Sequence, residues 1–61
     1  MKYVVLFKRG ERVPNIDEWF DTQYGAERRC DELQGMFDWL YERTNRASDK
    51  CTVWVECAEV N

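Results

Sequence analysis

The sequence predicts a two-layer α+β fold in the order ββαβ, a three-stranded antiparallel sheet ordered 2-1-3 with one helix packed on one face. Three observations carry this prediction. Residues 2–8 (KYVVLFK) are a short run of β-branched and aromatic side chains, closed by Arg9 and Gly10. Residues 50–58 (KCTVWVECA) alternate with the period of two that marks a strand. Between these runs Ala26, Cys30, Leu33, Phe37, Leu40 and Tyr41 recur at helical spacing.

The elements follow in chain order. After the first strand, residues 10–16 hold the single Pro and read as a turn or loop. Residues 17–21 (DEWFD) form a short second strand with charged ends. Thr22 or Asp21 then caps the helix, because either side chain offers an oxygen to the free amides of the first turn. The helix runs from about residue 22 to 45, and Gly35 in its middle costs roughly 1 kcal/mol against Ala. That glycine marks either a close packing contact or a kink. Residues 45–49 (NRASD) are a polar exit loop before the last strand.

The first strand is the most continuously apolar and therefore belongs in the middle of the sheet. The order 2-1-3 makes both pairings antiparallel, and the helical connection crosses one face. Parity then sorts the side chains. With Val4 and Leu6 toward the helix, Phe20, Val53, Val55 and Cys57 join them opposite Cys30, Leu33 and Phe37. The other face presents Tyr3, Val5, Phe7, Trp19 and Trp54 as a candidate self-association surface. Both sets of the first strand are apolar, so the opposite phase stays open. In either phase one helix covers one side and leaves a second apolar side, which monomers rarely expose as a large contiguous patch.

Sixty-one residues make a single domain, 1–61, near the lower size limit for folding without a metal or disulfides. Twelve acidic against nine basic side chains give a net charge of −3, the wrong sign for a general nucleic-acid binder. There is no His, and Cys30, Cys51 and Cys57 form no C-x-x-C pair, so neither a metal site nor a cofactor is expected. Cys51 and Cys57 on one strand stand roughly 20 Å apart, too far to bridge; free thiols in a reducing compartment are expected. Residues 1–7 are too short an apolar run for a signal peptide, and no stretch approaches a membrane span. A cytoplasmic protein is the expectation.

Catalysis is not expected. No His serves as a base, Ser48 is the one serine, and no cysteine is visibly activated by a neighbouring cation. Acid–base work by paired carboxylates needs surroundings that push their pKa values apart, and nothing in the spacing supplies them.

What the helix does carry is sorted charge. Glu27, Asp31, Asp38 and Glu42 lie on one flank of the apolar stripe; Arg28, Met36, Trp39, Arg43 and Arg46 lie on the other. Glu27/Asp31 and Asp38/Glu42 are like-charge pairs four apart, each costing roughly 0.2–0.5 kcal/mol. Helix stability alone does not select that pattern. Over a span of roughly 22 Å, four carboxylates in line can imitate part of a phosphate backbone and occupy a basic groove on a nucleic-acid-handling protein. Trp39 and Met36 are candidate anchors, and Arg43, one turn from Trp39, is placed for a cation–π contact. Lys8, Arg9 and Arg12 make a second basic cluster at the first turn.

These features lead to a small non-enzymatic protein-binding module, an inhibitor or regulator, as the expected function. The partner-binding set is Glu27, Asp31, Asp38, Glu42, Met36, Trp39 and Arg43. In size, charge density and aromatic content the chain resembles the small accessory proteins of phages and mobile elements, which implies an anti-defence role or a nucleic-acid mimic. Two alternatives come from other classes: a nucleic-acid-binding regulator using the arginine flank, and a purely structural homodimer. RNA stacking on the open sheet face is disfavoured by the expected presence there of Asp17, Asp21 and Glu56 and by the lack of an RNP-type sequence.

Overall fold

The computed structural model describes residues 1–44 and 50–59. Its elements are β1 (Lys2–Arg9), β2 (Asn15–Phe20), α1 (Gln23–Thr44) and β3 (Cys51–Ala58). One antiparallel sheet runs β2-β1-β3, with α1 packed against one face. The α+β class, element order and strand order are those the sequence predicts. The exit loop expected at 45–49, with Arg46 and Ser48, lies outside the described residues. No helix among the described residues is long and apolar enough to cross a membrane.

β1 ends at Gly10, whose φ of 59° is left-handed backbone that a side chain would strain. There the Gly10 amide donates to the Lys50 carbonyl at 2.8 Å, and Arg12 N–H closes a turn on the Arg9 carbonyl. β2 begins two residues before the position the sequence suggested. The reason is a bulge: Val5 pairs with Glu18 but Leu6 pairs with Ile16, so Asp17 is an extra residue that breaks the period-two pattern. At the other end of the hairpin Lys2 Nζ meets Asp21 Oδ1 at 2.6 Å. Both side chains are largely exposed, and such pairs contribute little to stability.

With Asp21 engaged by Lys2, Thr22 is the helix cap. Its hydroxyl accepts from Gly25 N–H at 3.2 Å, and its carbonyl accepts from Ala26 N–H. Gly25 has a packing reason: an added Cβ would come within 3.2 Å of both the Phe20 ring and the Thr22 hydroxyl. Gly35 has none, since nothing lies within 4 Å of its Cβ position. Close packing is therefore ruled out as its role, and α1 continues through it from Gln23 to Thr44.

The phase of β1 is opposite to the one drawn first from the sequence. Val5, Ala26, Leu33 and Val53 form the buried core, with Tyr3, Phe7, Phe20, Cys30, Phe37 and Val55 packed against it. Tyr3, Val5 and Phe7 thus lie beneath the helix and do not belong to the open sheet face. Two facts explain the choice. The register sets Tyr3 beside Phe20, Val5 beside Val55 and Phe7 beside Val53, so three apolar pairs share the helix side. The even set of β1 also includes Lys2 and Lys8, and the reversed phase would turn both lysines toward the helix. Phe7 and Phe37 stack at a centroid distance of 5.6 Å across the layers.

Two polar ties fix the helix over the sheet. On the β2 side Arg29 donates to both oxygens of Asp17, Nε at 2.9 Å and Nη2 at 3.3 Å. On the β3 side the Gln34 amide donates to the Cys51 carbonyl at 3.1 Å and accepts from Val53 N–H at 3.0 Å. Because Gly35 is open and unstrained, Gly35→Ala should raise stability by about 1 kcal/mol. Urea unfolding checks this: the midpoint should rise with the slope unchanged.

Candidate functional site

Helical spacing gives α1 two flanks, and the polar ties assign each to one edge of the sheet. Glu27, Asp31, Asp38 and Glu42 share the β3 side, and all four are exposed. Glu27 accepts from Gln23 at 3.3 Å. Asp38 accepts from Gln34 Nε2 at 3.0 Å. The same Nε2 serves Cys51, so Asp38 helps to orient the amide that holds β3. Asp31 and Glu42 enter no hydrogen bond or ion pair among the described residues. The carboxylate line is therefore partly structural at one member and unused by the fold at two.

On the opposite flank the expected cation–π pair is present, with the Arg43 guanidinium 4.1 Å from the Trp39 ring centroid. Arg28 lies over Tyr24 at 5.8 Å, and Arg29 is drawn inward to Asp17 with Glu32 at 3.7 Å. Trp39 and Met36 remain 53% and 49% exposed, large apolar groups that the core does not use. Leu40, which belongs to the sequence's apolar stripe, is also exposed, at the rim of a cleft of ≈ 290 Å³ beside Phe7, Phe37 and Tyr41. Arg9, Thr44 and Cys51 complete the lining of that cleft.

The open sheet face carries Val4, Leu6, Ile16, Trp19 and Trp54, which follow from the registers Val4–Trp19, Leu6–Ile16 and Leu6–Trp54. Its aromatics partly cover their neighbours. Val4 lies between Trp19 and Glu56 and is only 6% exposed, although it faces away from the helix. Trp54 Nε1 donates to Glu56 Oε2 at 3.1 Å, which directs the indole along β3 toward that residue. Trp19 and Ile16 stay exposed at the β2 side, and Val13 in the preceding loop is exposed as well. Asp17, expected on this face, is instead bonded to the helix.

Several contributors escaped sequence reasoning. Gln34 is an amide in mid-helix bordering the stripe at Leu33, and that placement is its one sequence signal. Lys50 joins the basic turn through its carbonyl, which accepts from Gly10 N–H one position beyond the Arg9–Cys51 pair of the β1–β3 register. Cys30, Cys51 and Cys57 form no disulfide among the described residues, which also hold no cluster of three metal-ligating side chains. No family model matches this chain, and no curated protein or solved structure matches it.

Between the acidic flank and β3 lies a groove of ≈ 410 Å³ lined by Glu27, Cys30, Asp31 and Val55. Burial, then the Asp31 and Glu27 carboxylates, push the Cys30 thiol above its ordinary pKa. Less thiolate means slower alkylation, so at pH 8 iodoacetamide should label exposed Cys57 well before Cys30. Peptide mapping by mass spectrometry reads the order, and Glu27→Gln with Asp31→Asn should speed Cys30 specifically.

Proposed function

We propose that this chain is a small non-enzymatic protein-binding module that inhibits or regulates a partner by covering its surface. The observation that carries the reading is the outer face of α1. Its β3 side carries Asp31 and Glu42, which have no bonding partner among the described residues, and its opposite flank carries the exposed Trp39 and Met36, which the core does not use. Aromatic and methionine side chains are enriched at interface centres, and complementary charge around them steers the encounter with a partner. Four carboxylates in line favour a partner with a basic groove, as a nucleic-acid-handling host protein has, which fits an accessory role in a phage or mobile element.

A nucleic-acid-binding regulator acting through the arginine flank draws less support. Arg28, Arg29 and Arg43 each already face an intramolecular partner, and net charge is −3. Self-association on the open sheet face is favoured by one observation, the adjoining exposed side chains of Trp19 (45%) and Ile16 (56%).

The two surfaces separate by mutation. Asp31→Lys with Glu42→Lys should reduce capture of the host partner roughly tenfold at physiological salt, with an unchanged circular dichroism spectrum. Unaltered capture would leave the acidic flank a solvated face. Trp19→Glu with Trp54→Glu should abolish any dimer seen by sedimentation, whereas a wild-type chain that stays monomeric at high concentration removes the self-association reading.

A further inference from the structure

We infer that the free edge of β3, from Val53 to Cys57, accepts an extended cationic segment of a protein partner as a fourth strand. This rests on the protein-binding reading above and names the form its partner takes.

β3 is an outer strand, bonded to β1 on one side only. Gln34 reaches the Cys51 carbonyl and the Val53 amide from the helix, so the backbone groups of residues 51, 53, 55 and 57 point away from β1. That side-chain amide makes the two bonds that one residue of a neighbouring strand would make. It satisfies the first part of the edge and stops there. The Val53 carbonyl and both backbone groups of Val55 and of Cys57 have no partner on that side among the described residues. An unpaired edge of this kind is the usual template for strand addition.

Charge decides the occupant. Glu27 and Asp31 border the groove at Val55, and their helix positions differ by roughly 6 Å in rise. Alternate residues of an extended strand repeat at roughly 6.6 Å. Two lysines or arginines at i and i+2 of an added strand therefore match the two carboxylates. A second copy of this chain does not suit the edge, because pairing β3 with β3 about a two-fold axis brings two acidic flanks together.

The test is an NMR titration of the intact ¹⁵N-labelled protein at about 50 mM salt, low enough to keep surface charge effective. The probe is a capped hexapeptide of alternating lysine and valine. The Val55 and Cys57 amides should shift and gain roughly tenfold or more in exchange protection. Glu27→Gln with Asp31→Asn should weaken binding roughly tenfold. An alternating glutamate–valine hexapeptide should not bind, and backbone N-methylation of the lysine peptide should abolish the protection. Unchanged Val55 and Cys57 amides with the lysine peptide would overturn the inference and leave the carboxylates as guards of a blunt edge. Equal binding of the N-methylated peptide would overturn it in favour of charge alone. Protection that grows with protein concentration and needs no peptide would overturn it in favour of a second copy. A host partner that depends on Asp31 and Glu42 while leaving the Val55 and Cys57 amides unprotected would sustain the helix-face reading and overturn this one.

Discussion

The placement of one helix over three strands depends on two polar ties at opposite edges of the sheet. Arg29 reaches Asp17 on β2, and Gln34 reaches Cys51 and Val53 on β3. Apolar packing holds the layers together but is non-directional, and the stripe on α1 could turn somewhat about its axis without losing burial. The ties remove that freedom. Once Arg29 and Gln34 are set, Glu27, Asp31, Asp38 and Glu42 must lie along β3, while Met36, Trp39 and Arg43 must lie away from it.

The core itself is small. Val5 and Ala26 are wholly buried, Leu33 and Val53 nearly so, and the aromatics around them are only half-buried. A domain of this size buries too little surface for apolar packing to leave a wide margin over chain entropy. Directional bonds across the layers then matter more than in a larger protein. The bulge at Asp17 serves the same end, because the extra residue gives β2 a carboxylate aimed at the helix. Side chains that the core does not use, Trp39 and Met36 above all, remain available to a partner.

Charge is sorted at three scales. Along α1 the carboxylates form a line; across the molecule they overhang one sheet edge; at the far turn Lys8, Arg9 and Arg12 gather with Lys50. The net value of −3 conceals this arrangement. Part of the pattern serves the fold, since Asp38 orients Gln34 and Glu32 supports Arg29. Asp31 and Glu42 have no such duty among the described residues, and the proposed partner-binding role rests on them.

The sequence by itself determined the elements, their order and the antiparallel 2-1-3 sheet. Period-two and helical spacing are local consequences of backbone geometry, and only one arrangement places the apolar KYVVLFK strand between two partners. It also determined the two charged flanks and the Trp39–Arg43 contact, which depend on positions within one helix. Tertiary structure decided what local pattern leaves degenerate. Val4/Leu6 and Val5/Phe7 are equally apolar, so the face of β1 was chosen by its register with Phe20, Val53 and Val55 and by the lysines at its even positions. The bulge hid the true start of β2, because an extra residue breaks the alternation by which a strand is read. Gln34 and Asp17 found their partners 17 to 19 and 12 residues away in sequence. Contacts at that separation exist only after the layers meet, and no periodicity within a strand or helix encodes them.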